Sequence, residues 1–119
     1  VELFYAPDST ISNLVVYSLG NFVSNQRAQY KDGGIMFDME LMKTGSKTRI
    51  AEIGYMPCWV YRNDKAGKSE FFILPVEFVE KNGEAIPLRE YDRNKISRFA
   101  QDTREHLKNI PEISYYRTR

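Results

Sequence analysis

Cysteine and histidine are nearly absent from this sequence, since Cys58 and His106 are the single examples in 119 residues. One cysteine excludes an intramolecular disulfide, and one cysteine with one histidine excludes a zinc site built from such ligands within the chain. A strong charge of either sign is also missing, because 17 Lys and Arg residues face 16 Asp and Glu residues. The net charge of +1 gives no general attraction to nucleic acid, and no nucleic-acid partner is expected.

Long hydrophobic runs are missing as well, because no window approaches the roughly 18 apolar residues of a membrane-spanning helix. We therefore expect a soluble chain of single-domain size with a modest core. The sequence begins directly in an apolar, strand-like run, VELFYA at residues 1–6, without a polar leader. This start suggests the C-terminal piece of a longer protein, with any targeting segment upstream.

Most of the sequence is patterned as short strands. Residues 1–6 and 13–19 flank a connection rich in Pro, Asp, Ser and Asn, which predicts an antiparallel pair. Apolar and polar residues alternate in 35–42 and 48–56 on either side of the turn Thr44-Gly45-Ser46-Lys47, which predicts a hairpin.

Two prolines are expected to interrupt strands, because proline cannot donate a ladder hydrogen bond. Pro57 should end one strand, so that residues 58–61 resume as an edge strand, and Pro75 should break or displace a strand over 70–79. Helical spacing is found from Asp92, the expected N-cap, to about Asn109 before Pro111. The sequence thus predicts an α+β fold of largely antiparallel strands with one C-terminal amphipathic helix.

The stretch LVVYSLGNFVSNQ at residues 14–26 is the most distinctive in the chain. Its continuous apolar start predicts a strand buried on both faces. Gly20 and Asn21 interrupt it, and a glycine within a strand marks a bulge or the close approach of another backbone or a ligand. Asn21 is either presented to a site or bonded to the nearby main chain.

Several other residues are candidates for a site or for a structural role. Asp32, beside two glycines, is a carboxylate near a ligand or an ordinary turn residue, and the turn is favoured. Asp38 and Glu40 are interpreted as a solvated strand face rather than a cation site, and His106 as a surface residue near a helix C-terminus. Packing is favoured for Cys58, and a frayed terminus for residues 115–119, YYRTR.

The segment from Val15 to Val23, with Gln26 after it, closely resembles the YSLGNF segment of the bacterial CapA family of capsule and poly-γ-glutamate biosynthesis proteins. That family resembles the calcineurin-like metallophosphatases, which are α/β sandwiches with a metal site at the ends of the strands. The resemblance implies that residues 1–56 are the closing strands of such a sandwich and that 57–119 are a C-terminal extension.

By this resemblance the metal ligands lie upstream, so that a divalent metal belongs to the full-length protein and this chain holds no cofactor and is inactive alone. Ser18, Asn21 and Asp32 become candidates to face the substrate or support the site. The implied partners are the upstream part of the same protein and other capsule-synthesis proteins at the membrane, with a homo-oligomer left open. The implied location is the bacterial cell envelope. Two alternatives remain: a non-enzymatic module that binds polymer or a partner, and a fragment of a generic metallophosphoesterase.

Overall fold

The computed structural model describes residues 1–117, which form strands that pair in one two-stranded and one three-stranded sheet, together with two helices. The antiparallel ladders of both sheets confirm the predicted α+β fold of largely antiparallel strands. In chain order the elements are β1 (Glu2–Tyr5), β2 (Ile11–Val15), β3 (Gly33–Thr44), β4 (Lys47–Lys65), β5 (Lys68–Pro75), α1 (Val76–Asn82) and α2 (Glu90–His106).

The predicted hairpin is present and longer than expected. β3 and β4 pair from Gly33↔Trp59 to Thr44↔Lys47, with a two-residue turn at Gly45 and Ser46. Gly45 has a φ of 62°, which agrees with the preference of tight hairpin turns for glycine. β1 and β2 form the predicted antiparallel pair, in which Leu3 faces Leu14.

β4 is the longest strand, with 19 residues, and different parts of it pair with two other strands. Its first part pairs with β3 as far as Trp59, and its last part pairs with β5 from Cys58 to Lys65. The two ladders overlap only at Cys58 and Trp59. The β3–β4 and β4–β5 turns therefore lie at opposite ends of β4.

The prediction that Pro57 interrupts a strand was wrong, because β4 continues through it and Cys58 and Trp59 are paired on both sides rather than at an edge. Two residues earlier, Tyr55 donates its N–H to Pro111 O at 3.0 Å, on the side away from β3. Backbone N–H groups alternate sides along a strand, so the nitrogen of Pro57 also faces away from β3. Its missing N–H costs no hydrogen bond to β3.

The strand predicted over 70–79 was wrong beyond Pro75, where α1 begins. Pro75 is the N-cap residue of α1, and burial of Val76 and Val79 on one face holds this short helix against β4 and β5. The C-terminal helix is present as α2, but it begins at Glu90, so Asp92 lies in its first turn instead of capping it. It ends at His106, three residues before the expected Asn109.

Two apolar clusters stabilise the fold. The larger one joins β4 to both helices and contains Trp59, Val76, Val79, Leu88, Ile96 and Ala100. The smaller one is centred on Tyr55, Leu107 and Ile110, with partly buried residues of β1, β3 and β4 packed against it. Trp59 and Tyr55 belong to the same strand, so β4 connects the two clusters.

The predicted buried strand over residues 14–26 was wrong. β2 ends at Val15, and beyond it Tyr17 and Phe22 have 72% and 56% of their surface exposed. Gly20, with a φ of 80°, turns the chain there. Within residues 1–117 no sheet or helix covers these apolar side chains.

The frayed terminus predicted for residues 115–119 was wrong for the part described, and Thr118 and Arg119 lie outside the described residues. The N–H of Tyr115 donates to Glu77 Oε2 at 2.6 Å, and its ring lies edge-on to Phe78 with centroids 5.6 Å apart. Arg117 forms an ion pair with Glu52 at 3.0 Å. The segment after α2 is therefore attached to α1 and β4.

The division into residues 1–56 and 57–119 stays a prediction, although β4 crosses its boundary without a break. Neither helix within residues 1–117 has the length and apolar character needed to cross a membrane.

Candidate functional site

A cavity of about 640 Å³ lies between the distinctive segment, the start of β3 and one side of α2. Ser18, Leu19 and Gly20 form one wall, and Asp32, Gly33 and Gly34 form another. The polar residues that α2 contributes are Lys95, Arg98, Asp102, Thr103, Glu105 and His106. This cavity brings two of the three predicted site residues, Ser18 and Asp32, to one place.

Close backbone contact fixes the wall at Gly20. Gly20 and Gly34 form an isolated antiparallel bridge, supported by hydrogen bonds from Asn21 N to Gly33 O at 2.9 Å and from Ile35 N to Leu19 O at 2.8 Å. A Cβ added to Gly20 would lie 2.8 Å from Gly34 Cα, which is too close for any other residue. The glycine in this segment therefore permits the approach of another backbone, one of the two roles expected for it.

Ser18 lines the cavity and orders the turn that precedes Gly20. Its Oγ accepts a hydrogen bond from the Gly20 N–H at 3.1 Å. The hydroxyl proton is not used by that bond, because the oxygen acts there as acceptor. Ser18 can thus donate a hydrogen bond to a molecule in the cavity.

Asn21 bonds to the main chain, which is one of the two roles expected for it. Its Nδ2 donates to Lys31 O at 2.8 Å and, more weakly, to Ser24 O at 3.5 Å. These bonds close the loop between the distinctive segment and β3. Asn21 supports the wall from behind and is not among the residues that line the cavity.

Asp32 is buried, with only 4% of its surface exposed. Its Oδ2 accepts a hydrogen bond from the indole Nε1–H of Trp59 at 3.2 Å, and its backbone O accepts one from Val60 N at 3.1 Å. The guanidinium of Arg27 lies 5.8 Å from the centre of the Trp59 ring and donates to Val60 O at 2.6 Å. Asp32 thus joins the floor of the cavity to the larger apolar cluster, and its role toward a substrate stays a prediction.

The wall formed by α2 carries cations that sequence reasoning did not assign to a site. Lys95 Nζ donates to Arg27 O at 3.3 Å, and Asp102 Oδ2 accepts from Gln29 Nε2 at 3.0 Å. Arg98 is exposed and makes no hydrogen bond or ion pair with the side chains or main chain of residues 1–117. The spacing of residues 95, 98, 102 and 106 at three- and four-residue steps was a signal for one polar helix face.

His106 is exposed at the C-terminal end of α2, as predicted, and it also lines the cavity. Its position near the last turn suits a cation. Cys58 is packed as predicted, with 3% of its surface exposed, and burial raises the pKa of its thiol.

A metal site is not assembled by the residues of the cavity. Within residues 1–117 no three His, Cys, Asp or Glu side chains lie together as a metal would require. The buried Asp32 carboxylate is already bonded to Trp59. These side chains do not fit a divalent metal, and no catalytic step is assigned to one here.

Comparison with known proteins gives no relative: no family model, curated protein or solved structure matches the chain. The geometry of the cavity and the pattern of the sequence are therefore the basis for a functional proposal.

Proposed function

We propose that this chain is the C-terminal region of a CapA-like protein that takes part in making or anchoring a bacterial capsular or poly-γ-glutamate polymer in the cell envelope. The observation that carries the proposal is the position of Ser18, Leu19 and Gly20, the centre of the family-like segment, in the wall of the cavity. The glycine of that segment is required by the backbone of Gly34. The segment thus shapes a concave site, as expected for a motif that borders a substrate.

The exposed apolar side chains around the segment support a contact with an upstream part of the same protein. Tyr17, Leu19, Phe22 and Val23 each have half or more of their surface exposed, although they are close neighbours in the chain. Apolar surface of this kind usually marks an interaction site. The upstream part would cover it and supply any metal ligands of the full-length protein.

The cations of α2 favour a second interpretation, in which the chain binds polymer and catalyses no reaction. Arg98 and Lys95 face the cavity beside Ser18, which can donate a hydrogen bond. The guanidinium of Arg98 has no partner among residues 1–117, and a guanidinium suits a carboxylate or another anionic group. Both readings place an anionic polymer segment in the same cavity, and they differ in whether a reacting group is brought from upstream.

Binding of poly-γ-glutamate to the purified chain tests the proposal, with neutral dextran for comparison. We expect saturable binding of the polyanion at low ionic strength. Arg98→Gln should weaken it about tenfold, the scale of one charge-assisted hydrogen bond. Lys65→Gln removes an exposed cation at the far end of β4 and is the matched control.

Two results would contradict the proposal: no binding of the polyanion, or an equal loss in the Arg98 and Lys65 variants. The complete coding sequence distinguishes the enzyme from the binding module. Metal-ligand motifs directly upstream of Val1 are expected if the protein is an enzyme, and their absence would leave only the binding module.

A further inference from the structure

The turn that joins β3 to β4 carries an unusual combination of residues. We use the term basic tip for residues 41–50, LMKTGSKTRI, which contain Lys43, Lys47 and Arg49 and no Asp or Glu. The basic tip also contains two exposed apolar side chains, Leu41, which is 57% exposed, and Met42. Cations and exposed apolar side chains thus share one end of the molecule.

The basic tip lies beyond the two apolar clusters, at the free end of the β3–β4 ribbon. The smaller apolar cluster reaches Phe37 on β3, which pairs with Tyr55, and Ile53 on β4, which pairs with Met39. From Met39 to Thr44 the ribbon continues for about 17 Å at the usual rise of a strand. The molecule is 57 Å long against 28 Å and 24 Å in the other directions, and the β1–β2 turn with Asp8 lies near Arg49 of the tip.

Carboxylates lie near the basic tip but not on it. Asp8, in the turn between β1 and β2, has its pKa lowered chiefly by hydrogen bonds from Thr10 and slightly by the charge of Arg49. Glu40 and Glu52 face each other one step behind the tip, and Glu52 is paired with Arg117. The cations therefore remain in excess where the ribbon ends.

The opposite end of β4 offers an internal comparison. The β4–β5 turn also has lysines, Lys65 and Lys68, but they lie beside Asp64 and Glu70. Asp64 accepts hydrogen bonds from Arg62 and Ser69. Residues 62–71 thus carry three cations and two carboxylates, against three cations and no carboxylate in the basic tip. Of these two turns, the β3–β4 turn has the larger excess of cations, and it carries the exposed aliphatic side chain of Leu41.

We propose that the basic tip docks on the surface of an anionic phospholipid membrane. Lysine and arginine are attracted to anionic headgroups, while exposed aliphatic side chains enter the boundary between headgroups and acyl chains. A nucleic acid is the less suitable partner, because residues 41–50 contain no aromatic ring on which a base could stack. Docking of the ribbon end leaves the cavity beside α2 open to solvent.

Co-sedimentation of the purified chain with vesicles tests this docking. We expect binding to phosphatidylcholine vesicles that contain phosphatidylglycerol, weak binding to phosphatidylcholine alone, and loss of binding as salt is raised. Replacing Lys43 and Lys47 by Gln should weaken binding about twenty-five-fold, since each cation near an anionic surface contributes about fivefold. The matched pair Lys65→Gln and Lys68→Gln should leave it unchanged.

The variant Leu41→Ser separates insertion from simple charge attraction. Leu41 is exposed, so its replacement should leave the urea midpoint of the chain near that of the original while vesicle binding falls roughly tenfold. A polarity-sensitive dye attached at Ser46→Cys should shift to the blue on anionic vesicles. The same dye at Ala66→Cys, on the opposite turn, should not shift, and the buried Cys58 should stay unlabelled in the folded chain.

The proposal is overturned if the two lysine pairs have equal effects, or if Leu41→Ser binds vesicles like the original chain. It is also overturned if the chain binds single-stranded DNA or polyglutamate through the basic tip while it ignores anionic vesicles. Loss of polyglutamate binding in Arg98→Gln with intact vesicle binding would show that the cavity and the basic tip act separately.

Discussion

Gly20 and Gly34 pass each other so closely that neither position has room for a side chain. A Cβ on Gly20 would lie 2.8 Å from Gly34 Cα, and a Cβ on Gly34 would lie 2.5 Å from Leu19 O. The contact holds the wall of the cavity against β3. The contact also explains why position 20 is a glycine, which the sequence alone did not.

Gly20→Ala should therefore destabilise the chain by about 2–4 kcal/mol, which combines a left-handed φ with backbone overlap. Gly45→Ala is the matched control, because Gly45 also has a positive φ but has open space around it. It should cost only about 1 kcal/mol. Urea unfolding followed by Trp59 fluorescence measures both, and equal losses would show that the contact with Gly34 is unimportant.

Asp32→Ala should cost about 1–3 kcal/mol, because it leaves the buried indole N–H of Trp59 without an acceptor. Asp32→Asn keeps an oxygen that can accept the same bond, so most of the stability should return. The free energies of unfolding of the two variants show whether the hydrogen bond or the charge of Asp32 is important. If Asn is as harmful as Ala, the charge of Asp32 is the important property and not the hydrogen bond.

Glu77 attaches the segment after α2 to α1, and hydrogen bonds to the Lys81 side chain and then to Ser114 lower its pKa. Its ionised form is favoured in the folded state, so this attachment is complete above its unfolded pKa and is lost as the pH falls through its folded pKa. An NMR titration should show the ring of Tyr115 leaving Phe78 over that acidic range. Lys81→Gln should raise the pKa of Glu77 toward its ordinary value, and an unchanged midpoint would contradict the assignment.

Cys58 should be unreactive in the folded chain, since it is buried and its thiol has a raised pKa. Burial disfavours the thiolate, so the folded state loses stability as the pH rises above the unfolded pKa of the thiol. Iodoacetamide should label Cys58 in urea and not in buffer at neutral pH. Rapid labelling of the folded chain would mean that the β4 region opens easily.

The parts of the fold set by local chemistry were predictable. The turn at Gly45 and the alternation on either side of it specify the β3–β4 hairpin within one continuous stretch. The spacing of Ile96 and Ala100 likewise predicted α2. In both cases neighbouring residues determine the element, and no distant partner is needed.

Other parts depend on contacts between distant residues. Pro57 reads as a strand breaker, but it is tolerated because its nitrogen faces away from β3. The sequence around Val76 and Val79 is typical of the end of a strand. These residues form a helix instead, and their burial there depends on packing against β4. The i, i+4 pair of Glu77 and Lys81 was the available signal for α1.

The candidate site was predictable only in part for the same reason. Ser18 and Asp32 were selected from the sequence, and they meet at the cavity. The bond between Asp32 and Trp59 joins residues 27 positions apart, and Arg98 approaches from a helix later still. No local pattern connects these residues, so only the fold reveals them as neighbours.

The offset pairing of β4 has a consequence for the order of folding. Each of its two hairpins closes through a two-residue turn, so each can form from a short stretch of chain at a small entropic cost. The ladders share only Cys58 and Trp59, so neither hairpin is a template for the whole of the other. The slower step should be the collapse of α2 onto Trp59, which aligns the two ribbons into a single sheet.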